Sequence, residues 1–196
     1  MKRILDVAVA ITLLLVLSPL MLIIALLIRL RLGSPVFFRQ LRIGKDERPF
    51  RLIKFRTMLN GDAPDEQRLT PFGRWLRATS IDELPELWNI LTGAMSLVGP
   101  RPLLPHYLPH YTPREQLRHR MRPGITGLAQ VNGRNAITWD ARLELDAHYV
   151  EHFSFIGDLD ILWDTVAIVL QREGISAEGH ATMRALDVER TNQGNP

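Results

Sequence analysis

The sequence predicts an α+β fold held at a membrane face by an N-terminal apolar segment. Three observations carry that prediction. An uncharged run of 22 residues, Val7–Ile28, has the length of a membrane-inserted helix. Two β-favouring runs, Val36-Phe37-Phe38 and Phe50–Phe55, flank the turn residues Gly44-Lys45-Asp46 and so read as a small β-hairpin. Short stretches of helical apolar spacing follow, with the arginines and tryptophans of surface or amphipathic helices. The expected division is a re-entrant membrane helix over 1–33, a globular domain over 34–182 at the cytoplasmic membrane face, and a polar, fraying tail over 183–196.

A chain of 196 residues is long enough to bury one real core. Lysine plus arginine (24) outnumber aspartate plus glutamate (21) by only three, so the placement of charge matters more than its total. The absence of cysteine excludes disulfides and thiolate metal sites and fits a reducing compartment.

The apolar run exceeds the core of a cleavable signal and passes directly into Arg29-Leu30-Arg31, so it is expected to be retained. Ser18-Pro19 lies near its middle, where proline leaves the Leu15 carbonyl without its helical donor and kinks the helix. Cations flank both ends: Lys2 and Arg3 before, Arg29, Arg31, Arg39 and Arg42 after. A crossing helix cannot keep both basic ends in the cytoplasm, whereas one that bends at Ser18-Pro19 and returns can. The Ser18 hydroxyl is available to backbone freed by the proline. A kinked crossing helix is the alternative, since proline is tolerated in such spans.

Most cations between Arg39 and Arg56 read as a solvated face touching anionic headgroups. Lys54 and Arg56 alternate around Phe55 and are the two that can face inward, toward an anionic ligand. Thr70–Ala78 sets Trp75 beside arginines, as at a membrane–water boundary or in a core helix. Pro113–Met121 reads as a short basic surface helix. The glycine-rich stretches Arg122–Gly127 and Val131–Asn135 suit either close backbone approach to a ligand or ordinary turns. Thr138 and Asp158 are the expected caps of two final helices.

The chemistry gathers in Ser80–Pro102, SIDELPELWNILTGAMSLVGPRP. Leu84, Leu87, Trp88 and Leu91 form one helical face, and Asp82 and Glu83 stand at the start of that helix. Ser80 with Glu83 makes a capping box; Asp82 is the alternative cap and would put Pro85 harmlessly in the first turn. Capping is the ordinary role of such acids. Their company points further. Gly99-Pro100-Arg101-Pro102 holds a guanidinium between two residues of fixed φ, suited to a bidentate grip on phosphate or carboxylate. Paired carboxylates with a fixed cation suggest phosphoryl chemistry with a divalent metal.

These motifs occur together in one order: Ser18-Pro19, Lys54-Phe55-Arg56-Thr57-Met58, Asp82-Glu83-Leu84-Pro85, Leu97–Pro102, Arg122–Asn135, Glu144-Leu145-Asp146 with Tyr149-Val150, and Asp158-Leu159. On them the chain, from about Lys2 to Thr182, resembles the small monotopic phosphoglycosyl transferases, the bacterial sugar transferase family of glycoconjugate initiation. Glu178-Gly179-His180 with Thr182 resembles the branch acting on diacetamido sugars. The resemblance implies transfer of a phosphosugar from a UDP-sugar to polyprenol (undecaprenyl) phosphate, with release of UMP and Mg²⁺ as cofactor. It implies that Asp82 attacks the phosphate carrying the sugar to form a covalent aspartyl intermediate, and that Asp82 and Glu83 hold the metal. Lys54, Arg56, Pro100, Arg101, Pro102, Arg134, Asp146 and Asp158 are the implied substrate and phosphate site. The implied location is the bacterial inner membrane, with the catalytic domain cytoplasmic and no nucleic acid as partner. The rival reading is a non-catalytic peripheral membrane protein that clamps anionic lipid or nucleic acid and needs no nucleophile.

Overall fold

The computed structural model describes residues 1–133, 137–171 and 186–192. Two compact units result, one of residues 1–40 with 51–95, the other of residues 41–50 with the described residues from Ser96 onward.

The first unit begins with α1 (Lys2–Arg31), a single helix that continues across Pro19. Ser18 Oγ donates to Leu15 O at 2.9 Å, serving the carbonyl that Pro19 cannot. Among the described residues α1 is the one helix long and apolar enough to cross a membrane. Its burial is confined to its ends. Asp6 and Ala10 near the start and Ile24 and Ile28 near the finish are buried, while Leu15, Val16 and Leu20 between them are exposed.

β1 (Phe37–Ile43) and β2 (Pro49–Phe55) pair as a two-stranded sheet. Between them residues 45–47 make a 3-10 turn with Asp46 and Glu47 at φ 54° and 58°. After β2 comes a short helix, α2 (Asp65–Arg68). In α3 (Pro71–Ala78) the Thr70 hydroxyl caps the start, accepting from Gly73 N at 3.0 Å. Neither Ser80 nor Asp82 caps the next helix. Ser80 is left-handed at φ 54° and makes no side-chain cap, residues 81–83 form a 3-10 turn, and α4 (Glu86–Leu91) begins only after Pro85. There the missing proline N–H removes no helical bond.

This unit's core joins Ile24, Ile28 and Leu32 of the first helix and its exit to Phe55 and Leu76. Arg3 donates to Ile90 O at 2.7 Å and Leu91 O at 3.1 Å, and Arg56 donates to Leu32 O at 2.7 Å. Cations thus satisfy the orphan carbonyls at the ends of α4 and α1. Both ends of α1 are held by the same unit.

In the second unit β3 (Ser96–Val98) runs parallel to β4 (Gly124–Thr126), Ser96 opposite Gly124 and Val98 opposite Thr126. A Cβ at Gly99 would lie 2.3 Å from Arg122 O, and one at Gly124 would lie 2.1 Å from Gly99 N. Close approach does explain these glycines, but the chain approaches itself. After α5 (Leu128–Val131), α6 (Trp139–Glu151) starts at its expected cap, Thr138 Oγ1 accepting from Ala141 N at 3.3 Å. α7 (Phe155–Gln171) starts earlier than the sequence suggests. Ser154 Oγ accepts from Gly157 N at 3.0 Å and takes the capping role expected of Asp158, which falls in the first turn.

Two further expectations change. The basic surface helix is a 3-10 helix, Glu115–Arg120, with Arg118 and His119 buried. Part of the supposed fraying tail is α8 (Leu186–Asn192). Its Leu186 is buried among Leu103, Tyr107, Tyr111, Trp139 and Leu143, and Arg190 pairs with Glu115 at 2.6 Å and Asp140 at 2.7 Å.

Candidate active site

In the first unit the carboxylate turn faces β2. In β2 Lys54 shares a face with the buried Leu52 and reaches the 81–86 segment, while Phe55 is buried on the opposite face. Lys54 Nζ lies 2.5 Å from Glu83 Oε1 and 3.0 Å from Glu86 Oε1. Asp82 is 8% exposed, and the Glu83 and Glu86 side chains are 21% and 4% exposed. One turn beyond Glu86, the Asn89 amide fixes the helix to the strand. Its Oδ1 accepts from Ile53 N at 3.1 Å and its Nδ2 donates to Arg51 O at 2.8 Å. The Lys54–carboxylate contacts are therefore made between elements already joined by the Asn89 side chain.

Arg56 stands apart from this group. It closes the exit of α1, donating to Leu32 O and to Asn60 Oδ1, while Asn60 Nδ2 donates to Ser34 O at 2.8 Å. Ser18 and Pro19 lie within α1, as described above.

In the second unit the Pro100-Arg101-Pro102 segment is clamped at three successive carbonyls. Pro100 O accepts from Gly124 N at 3.0 Å, Arg101 O from Arg118 Nη2 at 2.6 Å, and Pro102 O from Arg42 Nη1 at 3.2 Å. Arg118 is held in turn by Tyr111 Oη at 3.1 Å and by Asp146 at 2.9 Å. Asp146 is 1% exposed, so it supports the arginines from inside rather than meeting solvent. Burial pushes its carboxyl up to about 6, against the pull of Arg118 and Arg142. Burial and the nearby Arg101 charge both lower the Arg142 pKa. Arg142 thus feels the charges of Arg101 and Arg118 as well as that of the buried Asp146 carboxylate. Asp158 is also internal. It accepts from Tyr149 Oη at 2.7 Å, and the same hydroxyl lies 3.4 Å from Val98 O, two residues before Pro100.

Lys54, Glu83 and, through the chain, Asp82 are brought together in one unit; Arg101, Asp146 and Asp158 are linked through Arg118, Tyr149 and the β3 exit in the other. Arg134 and the Glu178–Thr182 motif lie outside the described residues. Sequence reasoning missed Glu86 and Arg118. Glu86 had a signal, since it follows Glu83 by three residues and can share its partner. Arg118 had none, because a 3-10 helix does not follow the 3.6-residue period by which burial is read.

The described residues thus include an apolar helix long enough to cross a membrane, two glutamates on one lysine and a clamped arginine segment. Residues 1–172 match the family described as bacterial sugar transferase, and the chain belongs to that family. It is 52% identical to the uncharacterized sugar transferase EpsL of Bacillus subtilis, over 93% of each chain. It is 40% identical to a UDP-glucose:undecaprenyl-phosphate glucose-1-phosphate transferase of Klebsiella pneumoniae, covering 84% of this chain and 39% of that longer one. Identity to the undecaprenyl-phosphate galactose phosphotransferase of Salmonella typhimurium is 34%, over 89% of this chain and 41% of the other.

Proposed function

We propose that this enzyme transfers a sugar phosphate from a UDP-sugar to a polyprenol phosphate, releasing UMP, at the cytoplasmic face of the bacterial inner membrane. The observation that carries the reading is the 81–86 turn, where Asp82 adjoins a glutamate gripped by Lys54 at 2.5 Å. Family membership and the activities named for two relatives support the same reaction.

In this reading an Asp82 carboxylate oxygen attacks the phosphorus that carries the sugar. The bond from that phosphorus to the bridging oxygen of UMP breaks, and UMP leaves with the electron pair. An oxygen of the lipid phosphate then attacks the same phosphorus and returns Asp82 as carboxylate. Asp82 and Glu83 are adjacent carboxylates of the kind that fit Mg²⁺, which is commonly held by one or two carboxylates plus substrate phosphates. When bound, the metal neutralises phosphate charge. Arg101, its backbone fixed by three clamped carbonyls, binds nucleotide or phosphate oxygens. Asp146 and Asp158 keep that segment in place, and Arg56 serves the α1 exit.

The membrane arrangement is a re-entrant helix. Its support is that Arg3 and the Leu32 carbonyl are both tied to the first unit while the helix middle is exposed. Among donors, the 178–182 motif favours an N-acetylated or diacetamido sugar, whereas the relatives' names give glucose and galactose.

The test is UMP release from UDP-glucose, UDP-galactose and UDP-diacetamido sugars with purified protein. Without lipid, the accepted donor should yield about one UMP per active site and a phosphosugar adduct on the Asp82 peptide. Asp82→Asn should yield neither. An active Asp82→Asn enzyme, or UMP release that needs lipid and leaves no adduct, would defeat the two-step route.

A further inference from the structure

We propose that Glu86 is a positioning residue that competes with Glu83 for Lys54, and so keeps Glu83 available to the divalent ion. The inference rests on the reading of Asp82 and Glu83 as the metal-holding pair. Lys54 Nζ touches both glutamates, at 2.5 Å and 3.0 Å. The two are not equivalent. The Glu83 side chain keeps 21% of its surface exposed and sits on the 3-10 turn, whereas Glu86 is 4% exposed on a helix tied to β2 through Asn89. A buried carboxylate cannot lose its counter-ion cheaply, while a partly solvated one can exchange it. When a cation arrives, the ammonium therefore stays with Glu86, and Glu83 is the group that changes partner. Without the Glu86 charge, Glu83 would hold Lys54 more strongly, and the ammonium would oppose the cation at closer range. Lys54 stays oriented by the same anchor.

The experiment is a Mn²⁺ titration, followed by electron paramagnetic resonance, of the full-length protein in detergent or nanodiscs without donor. Thermal unfolding is recorded in parallel. Glu86→Gln should weaken Mn²⁺ binding about tenfold, and Lys54→Met should tighten it about tenfold. In the Lys54→Met background, adding Glu86→Gln should weaken binding less than threefold, because the competition is already gone. With donor present, the Mg²⁺ concentration giving half-maximal UMP release should rise in Glu86→Gln, with turnover recovering at saturating Mg²⁺.

Equal weakening by Glu86→Gln in both backgrounds would make Glu86 a plain charge and overturn the proposal. Unchanged Mn²⁺ affinity with a lowered melting temperature would make it structural only. If Glu86→Gln does not fold, Lys54→Met decides alone, and unchanged affinity there overturns the proposal. A wild-type protein that binds Mn²⁺ no better than an Asp82→Asn/Glu83→Gln double variant would remove the metal reading itself, a different result from the others.

Discussion

Gly124→Ala tests whether the arginine segment is held by contact between two backbones. An alanine Cβ there would lie 2.1 Å from Gly99 N, 2.2 Å from Thr126 O and 2.6 Å from Val98 C. None of these atoms belongs to a side chain that can swing away. Restoring ordinary contact requires β3 and β4 to part by roughly 1 Å or more, which is enough to break hydrogen bonds whose strength falls steeply with length. The bonds at risk are Ser96 N to Pro123 O at 2.9 Å, Gly99 N to Thr126 O at 2.9 Å and Gly124 N to Pro100 O at 3.0 Å. At about 1 kcal/mol each, and more for buried groups left unsatisfied, the loss is about 3–5 kcal/mol. For a chain of this size that lowers the melting temperature by about 6–20 °C. Gly61→Ala is the contrast. Its φ is +128° but a Cβ would meet nothing within 4 Å, so only backbone strain of about 1–2 kcal/mol applies. The assay is thermal unfolding of detergent-solubilised protein, with UMP release measured well below the transition. Gly124→Ala should also raise the KM for donor, because the Pro100 carbonyl loses its clamp. A Gly124→Ala protein that melts within 3 °C of wild type, or no lower than Gly61→Ala, would refute the argument.

Arg101→Lys keeps the charge but loses the planar fork, and should cost at least tenfold in kcat/KM, about 1.4 kcal/mol; an equal loss in Arg48→Lys would remove the special standing of Arg101. His119 is held down to about 4 by burial first and the Arg118 charge second, so the stability it contributes is full above pH 6.5 and is lost as pH falls toward 4, at most about 3 kcal/mol. Because the raised Asp146 acts with opposite sign over about pH 4–6, the measurement is the difference in melting profile between wild type and His119→Gln, which should widen at high pH and close on acidification. Single cysteines at Lys2 and Ser34 should both resist an impermeant periplasmic thiol reagent in cells; labelling of the first alone would establish a crossing helix.

What could be read from the sequence was whatever follows a period or a local rule. The 22-residue uncharged run became α1, and Thr138 capped α6 because a hydroxyl three residues before an amide needs nothing from elsewhere. The pairing of Lys54 with Glu83 and Glu86 follows no local pattern, since 29 residues separate Lys54 from Glu83. Reading failed where polar groups turn inward. In α4 the apolar pattern pointed to Trp88 and Leu91, yet Glu86 and Asn89 are buried and Trp88 is 56% exposed. The reason is that β2 supplies partners there: an ammonium for Glu86 and two backbone groups for Asn89. The 113–121 stretch failed likewise, because Arg118 finds a carbonyl, a phenol and a carboxylate that no local pattern announces.

The Asn89 amide also bears on how the protein behaves among copies of itself. A two-stranded sheet has two open edges, and each is a template for a strand from another molecule. Arg51 O and Ile53 N point to the same side of β2, two residues apart, and a docking strand would take both. Asn89 already occupies them, presenting an acceptor and a donor at 3.1 Å and 2.8 Å in the pattern of a neighbouring strand. A protein concentrated on a membrane surface meets its own kind often. One side-chain amide, carried on a helix that cannot extend the sheet, closes that part of the edge to recruitment.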